Sequence, residues 1–253
     1  MRGDPAVVIQ ISDNHLVAEK NGNMRGVVTF DTLAAVLDQI ETQYPQANAY
    51  AVTGDLSHDG SPGSYRIMKE LLGGVDKPVY VIPGNHDDVD NMRRFLLAAN
   101  IQAPAYMDIG DWRLIFLNTQ VAGEEYGYLD AGEMKKLSGS LVDGPLNRLI
   151  CIHHPAVSLA SDWIDRSMLR NREELFEVLS GAQGNFVVLC GHAHQEYVKQ
   201  VNAVTLMGAP STCTQFKPRT DVFELDDLAP GFRVIELDDS GGFGSRVVRL
   251  GSA

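Results

Sequence analysis

Hydrophobic residues in this chain follow two alternating rhythms. Short runs that are apolar at nearly every position read as strands buried on both faces: Ala6-Val7-Val8-Ile9-Gln10-Ile11, Tyr50-Ala51-Val52-Thr53, Val79-Tyr80-Val81-Ile82, Leu149-Ile150-Cys151-Ile152 and Phe186-Val187-Val188-Leu189-Cys190. Trp112-Arg113-Leu114-Ile115-Phe116-Leu117 belongs with them. Between these runs the spacing turns helical. Leu33, Val36, Leu37, Ile40 and Tyr44 lie on one face of a helix predicted over 31–44 and stopped by Pro45. Tyr65, Met68, Leu71 and Leu72 define a second over 64–72, halted by Gly73-Gly74. Asp130 with Glu133, and Asn171 with Glu174, have the spacing of capping boxes and should each open a further helix. After His194 the pattern changes to short strands separated by Gly/Asp turns, among them 203–207 and 232–237. There is no internal repeat. The alternation argues for an α/β fold.

Polar residues able to bind a metal stand directly after the apolar runs. Asp13-Asn14-His15 follows the first, Gly54-Asp55 the second and Gly84-Asn85-His86-Asp87 the third. His153-His154-Pro155 and Gly191-His192-Ala193-His194 follow two of the later ones. In a layered α/β fold the carboxyl ends of strands share a crevice, so clusters remote in sequence would meet there.

Bulk properties narrow the partners. A chain of 253 residues, 44% hydrophobic, suits one well-buried core, and a single domain over 1–253 is expected. A formal charge of −12 without a basic run disfavours a nucleic-acid polymer, although bound cations would still let an acidic site accept a small phosphate ester. Cys151, Cys190 and Cys213 form no paired spacing, and the first two lie inside apolar runs as core residues. Met1-Arg2-Gly3-Asp4-Pro5 lacks the apolar stretch of a leader and no run approaches bilayer length, so the expected compartment is the cytoplasm, without a membrane segment.

Asp13 and His15, two apart, would point the same way from an extended segment and grip one ion. The Asp55 carboxylate, exposed at a turn, has oxygens for two cations, and Asn85 adds a hard neutral donor. His192 and His194 repeat the two-residue spacing. Taken singly, each is an ordinary turn residue or core histidine. Their joint occurrence in this order, each after a strand, favours a metal site.

That order of motifs resembles the calcineurin-like metallophosphoesterases. Further segments are similar to the bacterial class III 3′,5′-cyclic-AMP phosphodiesterases: Gly54-Asp55-Leu56-Ser57-His58-Asp59-Gly60-Ser61-Pro62, Ser167-Met168-Leu169-Arg170-Asn171, and the tail Pro210-Ser211-Thr212-Cys213-Thr214-Gln215-Phe216. The resemblance implies a four-layer αββα sandwich, with the β-rich part from about 195 to 253 completing the second sheet. It implies two divalent metal ions, Fe or Mn first and Zn, Co or Mg next. One would be held by Asp13, His15 and His194, the other by Asn85, His153 and His192, with Asp55 bridging; His154 is the alternative to His153. His15, Asn85, His86 and His194 would contact the substrate, and His86 would be the catalytic acid, its ring held by Asp87. No ligand position is left for His58.

The implied reaction is hydrolysis of a 3′,5′-cyclic nucleotide, cyclic AMP to 5′-AMP, by in-line attack of a metal-bridging hydroxide. Another phosphodiester, such as a glycerophosphodiester, a 2′,3′-cyclic nucleotide or a nucleotide conjugate, is the alternative substrate, and a metal-free scaffold of the same fold the alternative class. Trp163 is placed to stack on a base or to pack, Arg170 to meet a phosphate or to lie in solvent, and Asn171 to cap its helix. Assembly is left between monomer and homodimer.

Overall fold

The apolar runs become strands with their polar clusters at the carboxyl ends. The computed structural model describes residues 4–251; Met1 to Gly3 of the leader reading, and the last two residues of the single-domain reading, lie outside the described residues. The first half runs β1 (Ala6–Ile11), the short hairpin β2 (Asn23–Met24) and β3 (Val27–Val28), α1 (Thr29–Gln43), β4 (Ala49–Thr53), α2 (Pro62–Gly73), β5 (Val79–Ile82), α3 (Val89–Phe95) and β6 (Ile101–Gln102). The second half begins with β7 (Tyr106–Ile109), β8 (Trp112–Phe116), α4 (Ala131–Ser140), β9 (Asn147–Cys151), the single turn α5 (Asp162–Asp165), α6 (Arg172–Ser180) and β10 (Asn185–Cys190). It ends with β11 (Tyr197–Val201), β12 (Val204–Gly208), β13 (Gln215–Phe216), β14 (Leu225–Asp226), β15 (Gly231–Leu237) and β16 (Phe243–Arg249).

Two six-stranded sheets result, ordered β16-β15-β1-β4-β5-β6 and β11-β12-β10-β9-β8-β7. β1, β4 and β5 are mutually parallel in the first, as are β8, β9, β10 and β12 in the second. Between the sheets lies a core that includes Val8, Ala51, Tyr80, Leu149, Val187 and Ile235. Outside the first sheet, Leu33, Val36 and Ile40 of α1 and Tyr65 and Met68 of α2 pack on Ile9, Val52 and Val81. Outside the second, Leu137 of α4 and Leu175 and Leu179 of α6 pack on Ile150 and Val188. The architecture is the four-layer αββα sandwich that the resemblance implies. Among the described residues no helix is long and apolar enough to cross a membrane.

Several expectations shift locally. α2 begins two residues early because Ser61 caps it, accepting from the Ser64 N–H, and Pro62 occupies the first turn, where its missing N–H costs nothing. Asp130 caps α4 as its spacing predicts, but the Glu133 carboxylate accepts from the Asn118 N–H. Asn171 does not cap α6. Its side-chain oxygen accepts from the Leu129 N–H and its amide donates to the Leu129 carbonyl, so the same polar groups clamp a neighbouring loop. The segment after His194 does not simply complete the second sheet. β11 and β12 join it, whereas β15 pairs antiparallel with β1 and carries β16 onto the first. The alternating pattern of β15 fits this, since Phe232 and Val234 face the first helical layer while Ile235 and Leu237 enter the core between the sheets.

Arg233 on β15 ties the sheets together. Buried, it donates to the Gly208 and Tyr197 carbonyls of the second sheet and to Ser245 Oγ of its own. Arg233→Met is expected to lower stability by about 2–3 kcal/mol by leaving buried acceptors unpaired. A urea denaturation midpoint unchanged from the parent would contradict this role.

Candidate metal centre

The two sheets meet at their carboxyl ends through hydrogen bonds between loops. Gln10 donates to Thr53 Oγ1 on the adjacent strand and to the Cys190 carbonyl across the sandwich. The Asp13 N–H donates to the Gly54 carbonyl and the His15 N–H to the Asp55 carbonyl, locking the loop after β1 onto the loop after β4. The His192 N–H donates to Asp13 Oδ1 at 2.9 Å, binding the loop after β10 to the first sheet.

These ties bring every expected ligand into one cluster. Donor atoms of Asp13, His15 and His194 lie within 4.8 Å of one another, as do those of Asp13, Asp55 and His153. Asn85 Oδ1 is 2.9 Å from His192 Nδ1 and 3.2 Å from His153 Nε2. Asp55 sits between, with Oδ2 3.6 Å from His15 Nε2 and 3.4 Å from His153 Nε2. His153 faces the cluster, while His154 turns Nδ1 to Thr119 Oγ1 at 2.7 Å. His154 Nε2 remains unpaired and lies near His153 and His192.

The backbone reaches this arrangement by an unexpected route. Asp13 and His15 are not in an extended segment: their φ angles are 54° and 47°, and those of Asp55, His192 and His194 are 49°, 66° and 50°. Alternate left-handed residues still aim the first and third side chains together, and Asn14 between them turns away to Thr212 Oγ1. Non-glycine residues held in this region cost about 1–3 kcal/mol each, and such strain concentrates at functional sites. Close approach explains the glycines of the motifs. A Cβ on Gly84 would lie 2.2 Å from Asp55 Oδ1 and 2.7 Å from His153 Nε2.

The donor set fits divalent cations. His153 Nδ1 and His194 Nδ1 face the carbonyl oxygens of Thr53 and Thr214 at 2.8 and 2.7 Å, so each Nδ1 carries a hydrogen and each Nε2 is the nitrogen turned inward. His15 Nε2 and His194 Nε2 are 3.0 Å apart, and buried Asp13 Oδ2 has no hydrogen-bond partner. Burial pulls His192 and His194 down to about 3, keeping both neutral. Burial pushes the Asp13 carboxyl up to about 7, whereas Asp55 and His153 charge one another against the burial of both. The His153 ring holds the Asp55 carboxyl well below the usual range, and Asp55 raises His153 to about 9, a proton that a bound cation would displace. Neutral imidazoles, buried carboxylates and an unpaired oxygen are the groups a cation would satisfy.

Around this floor is a cavity of about 340 Å³. His86 lines it, its N–H donating to Asp55 Oδ1 and its ring Nδ1 2.9 Å from the His58 carbonyl oxygen. Asp87 does not hold that ring. Its carboxylate accepts from the Leu56, Ser57 and Gly84 N–H groups and the Tyr65 hydroxyl, knitting two ligand-bearing loops together. His58, for which the motif order leaves no place, stacks on His86 at 5.0 Å and puts Nδ1 3.3 Å from His15 Nδ1. Trp163 also lines the cavity, with Arg25, Glu125, Ser167, Phe216 and Phe223, none of which the metal motifs single out. Arg170 lies instead in a separate depression, its guanidinium 3.2 Å above the centroid of Tyr126, and does not meet a phosphate at this site. Cys151 and Cys190 are buried in the core.

The model of the family described as calcineurin-like phosphoesterase matches residues 6–196. A 3′,5′-cyclic-nucleotide phosphodiesterase of Nostoc sp. is 36% identical over 247 residues, covering 97% of this chain and 93% of that protein. The 3′,5′-cyclic adenosine monophosphate phosphodiesterase CpdA of Escherichia coli K12 is 36% identical, covering 96% and 89%. Among solved structures, a dimetal phosphatase from Danio rerio superposes with a TM-score of 0.63 at 13% identity, covering 98% of this chain and all of that one, a likeness of fold.

Gly84→Ala is expected to keep the fold but weaken binding of divalent cations by at least about tenfold, because Asp55 and His153 must move. Gly73→Ala, where an added Cβ meets nothing within 4 Å, is the control. Equal metal content in both variants by elemental analysis would refute the close-approach argument.

Proposed function

The chain belongs to the calcineurin-like phosphoesterase family, whose members use a binuclear divalent metal centre, and from that premise we propose that it hydrolyses 3′,5′-cyclic nucleotides, cyclic AMP to 5′-AMP. The convergence of remote donors on either side of Asp55 carries the reading. The substrate class follows the relatives that are named for this reaction and align over nearly the full length of both chains.

In this reading Asp13, His15 and His194 hold one cation, Asn85, His153 and His192 the other, and Asp55 both. His153 is preferred to His154 because its Nε2 already faces Asp55 and Asn85. Fe or Mn suits the mixed nitrogen and oxygen set, with Zn, Co or Mg as substitutes. When bound, such a pair polarises a phosphoryl group and makes water nucleophilic at neutral pH.

The chain's own residues then orient and protonate. His15, Asn85, His86 and His194 surround the position of the phosphodiester. Opening the ring adds water oxygen to phosphorus, breaks the bond from phosphorus to the ribose 3′-oxygen and requires a proton on that oxygen. His86 supplies it. With Nδ1–H donated to the His58 carbonyl oxygen, Nε2 is the nitrogen that would hold a second proton and pass it to the leaving oxygen, the proton lost by the attacking water restoring the ring for the next turnover. A cytoplasmic location and a small cyclic nucleotide as partner go with this reading. Any homodimer contact would use an outer sheet edge such as β11 or β16.

His86→Ala is expected to lower kcat on cyclic AMP by about 10²–10⁴-fold with bound metal unchanged. Full turnover in the metal-loaded variant would remove the acid role. A panel of cyclic AMP, 2′,3′-cyclic AMP and a glycerophosphodiester, assayed with Mn or Fe, tests the substrate class. Preference for either of the last two would replace it, and failure to bind metal under any reconstitution would favour a scaffold.

A further inference from the structure

Beyond the metal floor, the cavity is lined by an aromatic cluster with one fixed positive charge. Phe216 stacks on the outer face of His194, centroids 3.8 Å apart and planes within 9°. Trp163 and Phe223 each meet Phe216 and one another at steep angles, centroids 5.0–5.5 Å apart. The Trp163 indole N–H donates to Thr220 Oγ1, which fixes the plane of its ring. Arg25 is the lone lysine or arginine among the lining residues, and its guanidinium carbon sits 4.3 Å from the Phe223 centroid. It occupies the tip of the β2–β3 hairpin with φ 50°.

Packing accounts for part of this cluster. Phe216 is buried with Met24 and Cys213, and the inner part of Trp163 packs on them and on Leu159 and Ile164. It accounts less fully for Phe223, which packs on Trp163 and Phe216 yet stays 36% exposed at the cavity wall with an exposed arginine over its face. A partly exposed aromatic ring with a guanidinium over its face, both lining the cavity that holds the metal-site donors, offers a planar heteroaromatic ring a stacking surface and a cation.

We infer that Arg25, Trp163 and Phe223 form a nucleobase subsite, which holds the base of a cyclic nucleotide while its phosphodiester lies on the metal floor. The inference rests on the reading of the site as a cyclic-nucleotide phosphodiesterase. It makes the aromatic wall the element that separates nucleotides from base-free cyclic phosphates. Arg25 and Phe223 act on binding and leave the chemical step unchanged.

The test compares cyclic AMP with its base-free analogue, methyl riboside 3′,5′-cyclic phosphate, using metal-loaded enzyme. Phe223→Leu and Arg25→Met are each expected to raise KM for cyclic AMP by about tenfold, the scale of one lost base stack, with kcat within about twofold. KM for the base-free analogue should not move, and Phe223→Tyr should restore the parent value. Binding is read separately by fluorescence. Trp112 is buried in the core between the sheets, so 5′-AMP should quench Trp163 emission, whereas ribose 5-phosphate should not, and Trp163→Phe should abolish the quench. Unchanged KM for cyclic AMP in both variants, or an equal rise for the base-free analogue, overturns the subsite while leaving the phosphodiesterase reading intact. Parent enzyme that opens neither cyclic phosphate overturns both.

Discussion

The architecture depends on one electrostatic constraint: two buried carboxylates, Asp13 and Asp55, must stand among inward-facing imidazoles at the seam between two sheets. Neither sheet contains the whole site. The first supplies Asp13, His15, Asp55 and Asn85 from the ends of β1, β4 and β5, and the second supplies His153, His192 and His194 from the ends of β9 and β10. Spacing across the seam is therefore set by the core between the sheets and by ties such as Gln10 to the Cys190 carbonyl. The chain accepts left-handed backbone at Asp13, His15, Asp55, His192 and His194 to complete this geometry. Cation binding can offset that strain, since it repays an unpaired carboxylate oxygen and neutral nitrogens otherwise removed from water without full compensation.

What the sequence reveals follows from this constraint. Strand-end placement of the polar clusters is legible because a strand buried on both faces has a continuous apolar run, and the first polar residue after it marks the crevice. The layers are legible because the helical periods of α1 and α2 fall between those runs. The fate of 195–253 is less so. A short strand such as β15 carries no mark of which sheet it will join, and that choice is made by pairing with β1, more than two hundred residues earlier. Polar side chains show the same limit. Asn171 has the spacing of a cap but meets the Leu129 backbone, and Asp87 stands beside His86 yet serves Leu56, Ser57, Gly84 and Tyr65. Local spacing names the group that can donate or accept, while tertiary packing chooses its partner.

His58 and Arg25 are harder to find for a different reason. Both lie on connections whose course is set by other elements. His58 reaches His15 and His86 because the loop after β4 is pinned by the Leu16 carbonyl accepting from the His58 N–H. Arg25 reaches the cavity because the six-residue β2–β3 hairpin folds back beside Phe223. The segment around Arg25 has no periodicity or motif that announces such proximity, and the motif that contains His58 assigns that residue no ligand position.

Charge offers a final link between fold and chemistry. A chain carrying −12 would repel an anionic phosphodiester at long range, and among the lining residues Asp55 and Glu125 oppose the single positive charge of Arg25. An anion is therefore admitted to this cavity only when cations have changed the sign of the potential at its floor. The aromatic wall has no such dependence, because stacking requires surface and polarisability rather than net charge. On the proposed reading the cavity divides its work: the strained strand-end floor would receive the phosphodiester through bound cations. Arg25, Trp163 and Phe223 stand outside the strand ends that supply the metal-site donors and meet them through Phe216, which stacks on His194, so the proposed base contacts are carried by connections and a single helical turn while the donors are carried by the sheets.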